Sequence, residues 1–465
     1  MLRAVDRSSQ AAPAGTAVEA AGLDRYLILL FLLLSTATLF DGFDAAIMSL
    51  AAPDIRASLD IPVGQWGYIF GICRLGMVAS FLFLLYADSF GRRTATMLTV
   101  VGFTLFTGLT ALATDKWQFT LFQFLARIFL TAEYALAVIM VSEEFPARLR
   151  GRAIAVLTSL ATLGVVLIAK LQPYILVQGG QPGNWLHASG SALVAAVQSA
   201  LGLEVDHANW RVLYLFGVAP LVLVFVLRFG MRETRRFEAL SIDRPRRTWS
   251  EHWQNARRPW QKRYRRRTLI VTILWNCVHL VTAPAIGFWV IYAREKLLFD
   301  PFLIGDIVFW AYLCGIGGHF LAGVAIDRIG RKPTCAIFYV LASFAIMGLF
   351  QSTSVAGQYF WQITTVFCFL AAGTATHVYA SELFPTEIRA TGYGWTTNLF
   401  GRIMEVATPL LVGTFVESLG ISWSVTLLAF GPIVGAVVVM LYAPETRGLT
   451  LEEIETELGE ALSGD

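Results

Sequence analysis

The chain has 465 residues, of which 56% are hydrophobic and 15% charged, and its mean hydropathy is +0.61. Soluble domains carry about 25% charged residues, so this composition excludes an ordinary water-soluble protein. The formal net charge of +3 decides little, because the cations are clustered and their places matter more than their sum.

Residues 1–24 are polar and form a predicted cytoplasmic segment; no short apolar run with a small-residue cleavage site precedes the first span, so no removable leader is expected. Apolar blocks of about 18–25 residues, long enough to cross about 30 Å of hydrocarbon as helices, then follow. They lie at 26–50, 65–86, 94–113, 117–141, 150–176, 211–230, 268–293, 302–325, 334–351, 357–381, 392–416 and 422–442. A soluble core would not be laid out in such uniform lengths. The reading is an all-α membrane protein with twelve transmembrane helices in two six-helix bundles around a central cavity. Its units are an N-terminal bundle at 25–230, a basic cytoplasmic linker at 231–267, a C-terminal bundle at 268–443 and a cytoplasmic tail at 444–465.

The first span carries Phe40-Asp41-Gly42-Phe43-Asp44. Asp41 and Asp44 stand three apart and share a helical face, while Gly42 lets another backbone approach. Two carboxylates side by side in a dry site repel, which is the setting for proton coupling; a structural network is the alternative. The second span holds Arg74, an extra anion site, a snorkelling residue or a partner for a span-one aspartate. The fourth holds Arg127 and Glu133, and Arg127 can pair with Asp41, Asp44 or an anionic substrate. Lys170 near the end of the fifth span is read as snorkelling. After it, 177–209 is a long outer loop, with Ala192–Leu203 as a short amphipathic helix.

Thirteen of the 36 Lys and Arg fall in 231–267, and others cluster at Arg92-Arg93, at Arg148, Arg150 and Arg152, and at Arg328, Arg331 and Lys332. Positive residues mark the cytoplasmic side, so both termini are expected there, in a plasma or bacterial inner membrane. The linker is read as a solvated loop near anionic headgroups and not as a nucleic-acid site. In the second half, Arg402 and Glu405 stand three apart on the eleventh span. Arg402 suits a carboxylate because its planar fork binds both oxygens, although Glu405 can simply neutralise it. His279, His319 and His377 can relay protons or serve as packing residues. Trp275, Trp289, Trp310, Tyr379 and Trp395 can line an aromatic cavity or anchor at the interface. The cysteines (Cys73, Cys277, Cys314, Cys335 and Cys368) are scattered through the spans and read as packing residues.

Internal repetition settles the architecture. Asp88-Ser89-Phe90-Gly91-Arg92-Arg93 returns as Asp327-Arg328-Ile329-Gly330-Arg331-Lys332, and Ser142-Glu143-Glu144-Phe145-Pro146 as Ser381-Glu382-Leu383-Phe384-Pro385, both 239 residues later. Arg150 answers Arg389 at the same offset. Arg232-Glu233-Thr234-Arg235 answers Pro444-Glu445-Thr446-Arg447 at an offset of 212, so about 27 extra residues lie in the first half, in the outer loop. These motifs resemble the signature loops of the major facilitator superfamily, and Pro444 to Glu453 is similar to the sugar-porter tail. The resemblance implies two bundles that rock around a central pathway. It also implies gating roles for Asp88, Gly91, Arg92, Glu143, Arg150, Asp327, Gly330, Arg331, Glu382 and Arg389 at cytoplasmic helix ends.

The repeat also filters for function. At an offset of 239, Asp41, Asp44, Arg127 and Glu133 face Leu280, Ala283, Val366 and Ala372, while Arg402 and Glu405 answer Leu163 and Val166. Six charges inside spans thus have apolar twins, and such charges usually face a cavity or a partner. The D-G-x-D element resembles aromatic acid:proton symporters of the superfamily, and Gly401-Arg402 its organic-ion and aromatic-acid branches. Related symporters carry an arginine ten residues before the span-four glutamate; here that place is Gln123, and the arginine is one turn on at Arg127.

The resulting expectation is proton-coupled symport of a small organic anion, aromatic or otherwise a carboxylate, by alternating access. Asp41, Asp44 and Glu133 would couple protons, and Arg127, Arg402, Glu405, Arg74 and Tyr379 would bind substrate. A sugar or polyol porter, an exporter and a transporter-like sensor are the alternatives. The seventh span lacks a glutamine-rich sugar motif. No Walker sequence, metal cluster or nucleophile set is present, so no enzyme activity, cofactor or metal is expected. The expected partners are substrate, protons and the lipid bilayer, with a monomer as the default.

Overall fold

The computed structural model describes residues 25–90, 92–145, 147–176, 185–202, 209–218, 257–384 and 388–447. Among them every regular element is helical. The spans are α1 (Arg25–Leu50), α2 (Val63–Phe90), α3 (Arg92–Ala111), α4 (Lys116–Glu144) and α5 (Ala147–Leu176). Only the start of α6, 210–218, is described. There follow α7 (Lys262–Gly287), α8 (Pro301–Ile329), α9 (Arg331–Gln351), α10 (Val355–Glu382), α11 (Ile403–Leu428) and α12 (Gly431–Tyr442). Ten helical stretches among the described residues are long and apolar enough to cross a membrane. The last, Thr391–Tyr442, is kinked at Gly420, whose φ of 72° and ψ of 165° interrupt the helix within α11. The helix in the long connection after α5 spans Trp185–Leu201, seven residues earlier at its start than the sequence suggests. Its first residues include Gly190 and two serines, which hide the helical pattern from propensity alone.

Helix starts and faces follow from local chemistry. Asp115 caps α4 by accepting from the amides of Trp117 and Gln118, and Ser354, its counterpart 239 residues on, caps α10 by accepting from Gly357. Along α12, Pro432, Gly435, Ala436 and Val439 are buried, whereas Val434, Val437 and Leu441 on the other face are exposed. A helix apolar on both its packed and its outward face suits lipid, not water.

The repeat seen in sequence returns as packing. The pair α1–α5 is matched by α7–α11, α3–α4 by α9–α10, and α2–α4 by α8–α10. The two bundles meet along α2–α11 and α5–α8, which are again twins. At the first crossing a Cβ on Gly67 would collide with the Pro409 carbonyl, so the backbones touch. Gly67 and Pro409 correspond, 239 residues apart in each case, to Asp306 and Lys170. At the second crossing those two side chains form an ion pair, with the Tyr359 hydroxyl donating to Asp306 at 2.6 Å and the Lys170 ammonium 4.5 Å from the centre of the Phe309 ring. Lys170 therefore pairs across the bundles and does not merely snorkel.

Candidate functional site

Asp41 and Asp44 lie in the C-terminal half of α1 with 4% and 1% of their surface exposed. Gly42 between them meets the Ala161 carbonyl of α5, so a side chain there would push the two helices apart. Arg127 on α4 donates to the Ala45 carbonyl at 3.4 Å and is the cation attracting Asp44, with Thr107 of α3 alongside. Glu133, two turns further along α4, accepts from the Thr99 hydroxyl at 2.5 Å and is buried. Gln123, where related symporters carry an arginine, donates to the Thr110 hydroxyl at 3.1 Å. Three buried carboxyl groups thus lie on α1 and α4 of the N-terminal bundle, and Asp44 among them faces Arg127.

Arg74 does not pair with a span-one aspartate. It crosses from α2 to α11 and forms an ion pair with Glu405, its guanidinium lying 4.6 Å from the centre of the Phe70 ring. Arg402 donates to the other Glu405 oxygen at 2.7 Å, and His279 Nδ1 stands 3.8 Å from it. Both arginines are always charged, so with Glu405 ionised this cluster carries one surplus positive charge. Arg74 is also an electrostatic neighbour of Arg127, which links the two clusters.

The local backbone is shaped for this site. Before Arg402 the chain leaves α-helical geometry, with a wide π turn at Gly394–Leu399 and a tight 3-10 turn at Phe400–Arg402. Asn276 of α7 holds the irregularity, donating to the Phe400 carbonyl at 2.8 Å and accepting from the Met404 amide at 2.8 Å. Pro409, one turn after Glu405, has no amide to give to the Glu405 carbonyl. Asn276 escaped the sequence reading because it carries no charge for the repeat filter to detect. Trp275 packs against His279 and His377, whose ring bonds to the Tyr393 hydroxyl, so two of the histidines sit beside Arg402 and Glu405. The third, His319, bonds to Thr374 at 2.6 Å.

At the end of the bundles bearing the α1–α2 and α7–α8 connections, Arg56 forms an ion pair with Glu295. The two are 239 residues apart, so each occupies the repeat position of the other and the pair straddles the axis relating the halves.

Comparison with known proteins decides the family. The model of the Major Facilitator Superfamily matches residues 34–404 and 281–462. The chain belongs to the Major Facilitator Superfamily. It is 25% identical over 446 residues to the niacin transporter NiaP of Acinetobacter baylyi, with 90% of this chain and 93% of that protein covered. It is 24% identical over 447 residues to the gallate transporter of Pseudomonas putida, covering 89% and 90%. The fold is similar to the inward-open xylose transporter XylE from E. coli, with a TM-score of 0.71 at 17% identity over 93% of this chain and 100% of that one. This chain is accordingly a multi-pass membrane transporter of a small molecule and not an enzyme.

The superfamily's loop motif is well defined in the second half. Arg331 binds Glu382 through two parallel bonds, Nε to Oε2 at 2.9 Å and a terminal nitrogen to Oε1 at 2.6 Å. The Glu445 carboxylate accepts from the amides of Arg331 and Lys332 at 2.9 and 3.1 Å, capping α9, and the Thr446 hydroxyl donates to Glu382 at 2.6 Å. Gly330, at φ 102°, is required because a Cβ would strike the Glu445 carboxylate. Asp327 is exposed one turn before Arg331 and attracts it. The tail sequence Pro444-Glu445-Thr446-Arg447 thus acts as a clasp. Tyr379 belongs to it: its ring is buried and its hydroxyl donates to the Pro444 carbonyl, so it stands apart from the central charges. Gly91 and the side chains of Asp88, Arg92, Glu143, Arg150 and Arg389 lie outside the described residues.

Proposed function

We propose that this transporter carries a small organic anion together with protons, and that the carboxylate is held between Arg402 and Arg74. The observation that carries this reading is the Arg74–Glu405–Arg402 cluster, which joins the two bundles and has room in its charge balance for one more negative charge. A monoanion would complete it and would compete with Glu405 for the guanidinium faces. Because Arg74 and Arg402 come from opposite bundles, the competition would loosen one bundle from the other, which is the event alternating access requires.

Proton coupling is assigned to Asp41, Asp44 and Glu133. These three acids are buried in the N-terminal bundle, with Arg127 as the cation facing Asp44, and burial of an ionised carboxylate favours taking up a proton. Relatives named for niacin and gallate transport support an organic acid as substrate. The sugar-porter-like tail gives less support to a sugar, since its residues are engaged in the clasp between α9, α10 and the tail. The clustering of cations supports the proposal that both termini are cytoplasmic and that Arg56–Glu295 is on the outer side, in a bacterial inner membrane; a monomer is proposed as the default.

The test is binding and uptake by purified protein in liposomes of labelled benzoate, an aliphatic monocarboxylate and xylose. Benzoate should bind and enter while xylose does not compete. Saturable xylose uptake with no benzoate binding would overturn the assignment.

A further inference from the structure

Where α7 begins, the surface carries a charge pattern that its own helix does not explain. Arg257, Arg258, Lys262, Arg263, Arg265 and Arg266 are all exposed, and no acid stands among them in the sequence. Lys262, Arg263, Arg265 and Arg266 fall in the first two turns of α7, at the positive end of the helix dipole, which disfavours cations. Charges placed against a local rule are expected at functional sites, where a partner supplies the missing interaction.

The segment has a fixed shape. Pro259 is buried within a 3-10 turn at Arg258–Trp260, and the Thr268 hydroxyl donates to the Pro259 carbonyl at 2.7 Å. Arg267 turns inward and donates to the Leu383 carbonyl at 3.2 Å, beside the end of α10. Below the cations the helix becomes apolar on its outer side. Leu269 and Ile273 are exposed and stand four and eight residues after Arg265, so they share its face. Four residues advance a helix by about 6 Å, which is about the depth of a headgroup layer. Trp260 instead meets the protein. Its ring lies edge-on to Phe400 at 5.3 Å and to Trp395 at 6.0 Å, Trp395 and Phe400 stack at 5.3 Å, and Phe81 of α2 reaches Trp395 at 5.7 Å. Trp395 and Phe400 belong to the wide and tight turns that lead into Arg402.

We propose that these six cations form a docking surface for anionic phospholipid headgroups, and that Trp260 transmits the hold of the lipid to the turns that carry Arg402. Cations clustered beside a spanning helix attract anionic lipid, and each Lys or Arg adds to the attraction. The apolar face continuous with the cations selects a lipid over a soluble anion, because only a lipid fills both at once. Through Phe81 the same rings touch the other bundle, so lipid held here steadies a contact between the bundles as well as the approach to Arg402. The inference does not depend on which substrate is carried.

The experiment uses the purified full-length protein as wild type, as Trp260→Ala, and as a sixfold variant combining Arg257→Gln, Arg258→Gln, Lys262→Gln, Arg263→Gln, Arg265→Gln and Arg266→Gln. Each is exposed to equal amounts of phosphatidylglycerol and phosphatidylcholine in detergent, and the lipid retained is counted by mass spectrometry. The wild type and Trp260→Ala should retain phosphatidylglycerol about threefold over phosphatidylcholine, and the sixfold variant should retain the two about equally. High salt should erase the preference. Thermal melting checks folding, and if the sixfold variant does not fold, Arg265→Gln with Arg266→Gln should lower the preference part-way. Hydrogen exchange of residues 394–402 is then followed in nanodiscs of phosphatidylcholine with and without phosphatidylglycerol. The anionic lipid should slow exchange there by about threefold in the wild type and leave it unchanged in Trp260→Ala. Equal retention of both lipids by the wild type, or a preference that survives in the cation variants, would overturn the docking surface. The same slowing in Trp260→Ala as in the wild type would overturn the role of Trp260.

Discussion

Glu405 lies within reach of Arg74, Arg402 and His279, so substituting it separates charge balance from anion recognition. In Glu405→Gln the two arginines lose their carboxylate, and breaking a buried pair from one side costs about 3–5 kcal/mol. A bound organic acid can supply the missing charge. We therefore expect Glu405→Gln to bind benzoate at least as tightly as the wild type while turning over more slowly, because the carboxylate that normally expels the substrate is gone. Arg402→Ala should weaken acid binding by roughly 10- to 100-fold, the range of a charge-assisted hydrogen bond. Binding isotherms with both variants check this; unchanged affinity in Arg402→Ala would mean that Arg402 serves Glu405 alone. Much of this site was legible in the sequence. Asp41, Asp44, Arg127, Glu133, Arg402 and Glu405 stood out as span charges with apolar twins, and the structure gathers Arg402 and Glu405 with Arg74. The Arg74 partner was not legible, because a helix position does not reveal which of several facing spans it meets. Arg56 and Glu295 escaped for a different reason. They are charged twins of opposite sign, whereas the filter sought charges opposite apolar residues; opposite charges one repeat apart were the signal to follow.

At the scale of elements, two connections hold defined ends of the bundles. The Arg56–Glu295 pair joins the α1–α2 and α7–α8 connections, with side-chain exposures of 11% and 40%. A pair this open contributes only about 0.2–1 kcal/mol, yet that is enough to bias two access states that differ by a few kcal/mol. Glu295→Arg should therefore lengthen the spin-label distance between these connections, and the double swap Arg56→Glu with Glu295→Arg should shorten it again. Identical distance distributions in all three proteins would remove the latch role. The Glu445 clasp on α9 behaves differently because it is confined to one bundle. Glu445→Gln removes the anion capping α9, a loss of about 1 kcal/mol. Its melting temperature should fall by a few degrees while acid affinity stays unchanged, and a change of substrate preference would contradict the clasp reading. The same clasp gives the tail motif a structural role, since its residues fasten the tail to α9 and α10.

Over the whole molecule, the repeat was the most legible feature, because each half must build the same bundle and so reuses the same caps, loops and crossings. Asp115 and Ser354 cap twin helices, and α2–α11 mirrors α5–α8. What the repeat could not convey is the departure from symmetry at each crossing. Gly67 against Pro409 became Asp306 against Lys170, a change visible only once the helices are paired in space. The asymmetry also shows in the charges: buried acids, Asp44 facing Arg127 among them, lie in the first half, and two arginines hold Glu405 across to the second. On this account protons and substrate occupy separate but electrostatically linked places. The most direct test is accumulation of labelled benzoate in liposomes under an imposed inward proton gradient, with protein-free liposomes subtracted, for wild type, Asp41→Asn, Asp44→Asn and the double variant. The account predicts gradient-driven accumulation by the wild type, and loss of that accumulation in the variants with exchange of labelled for unlabelled benzoate retained. Full accumulation by the double variant would contradict it.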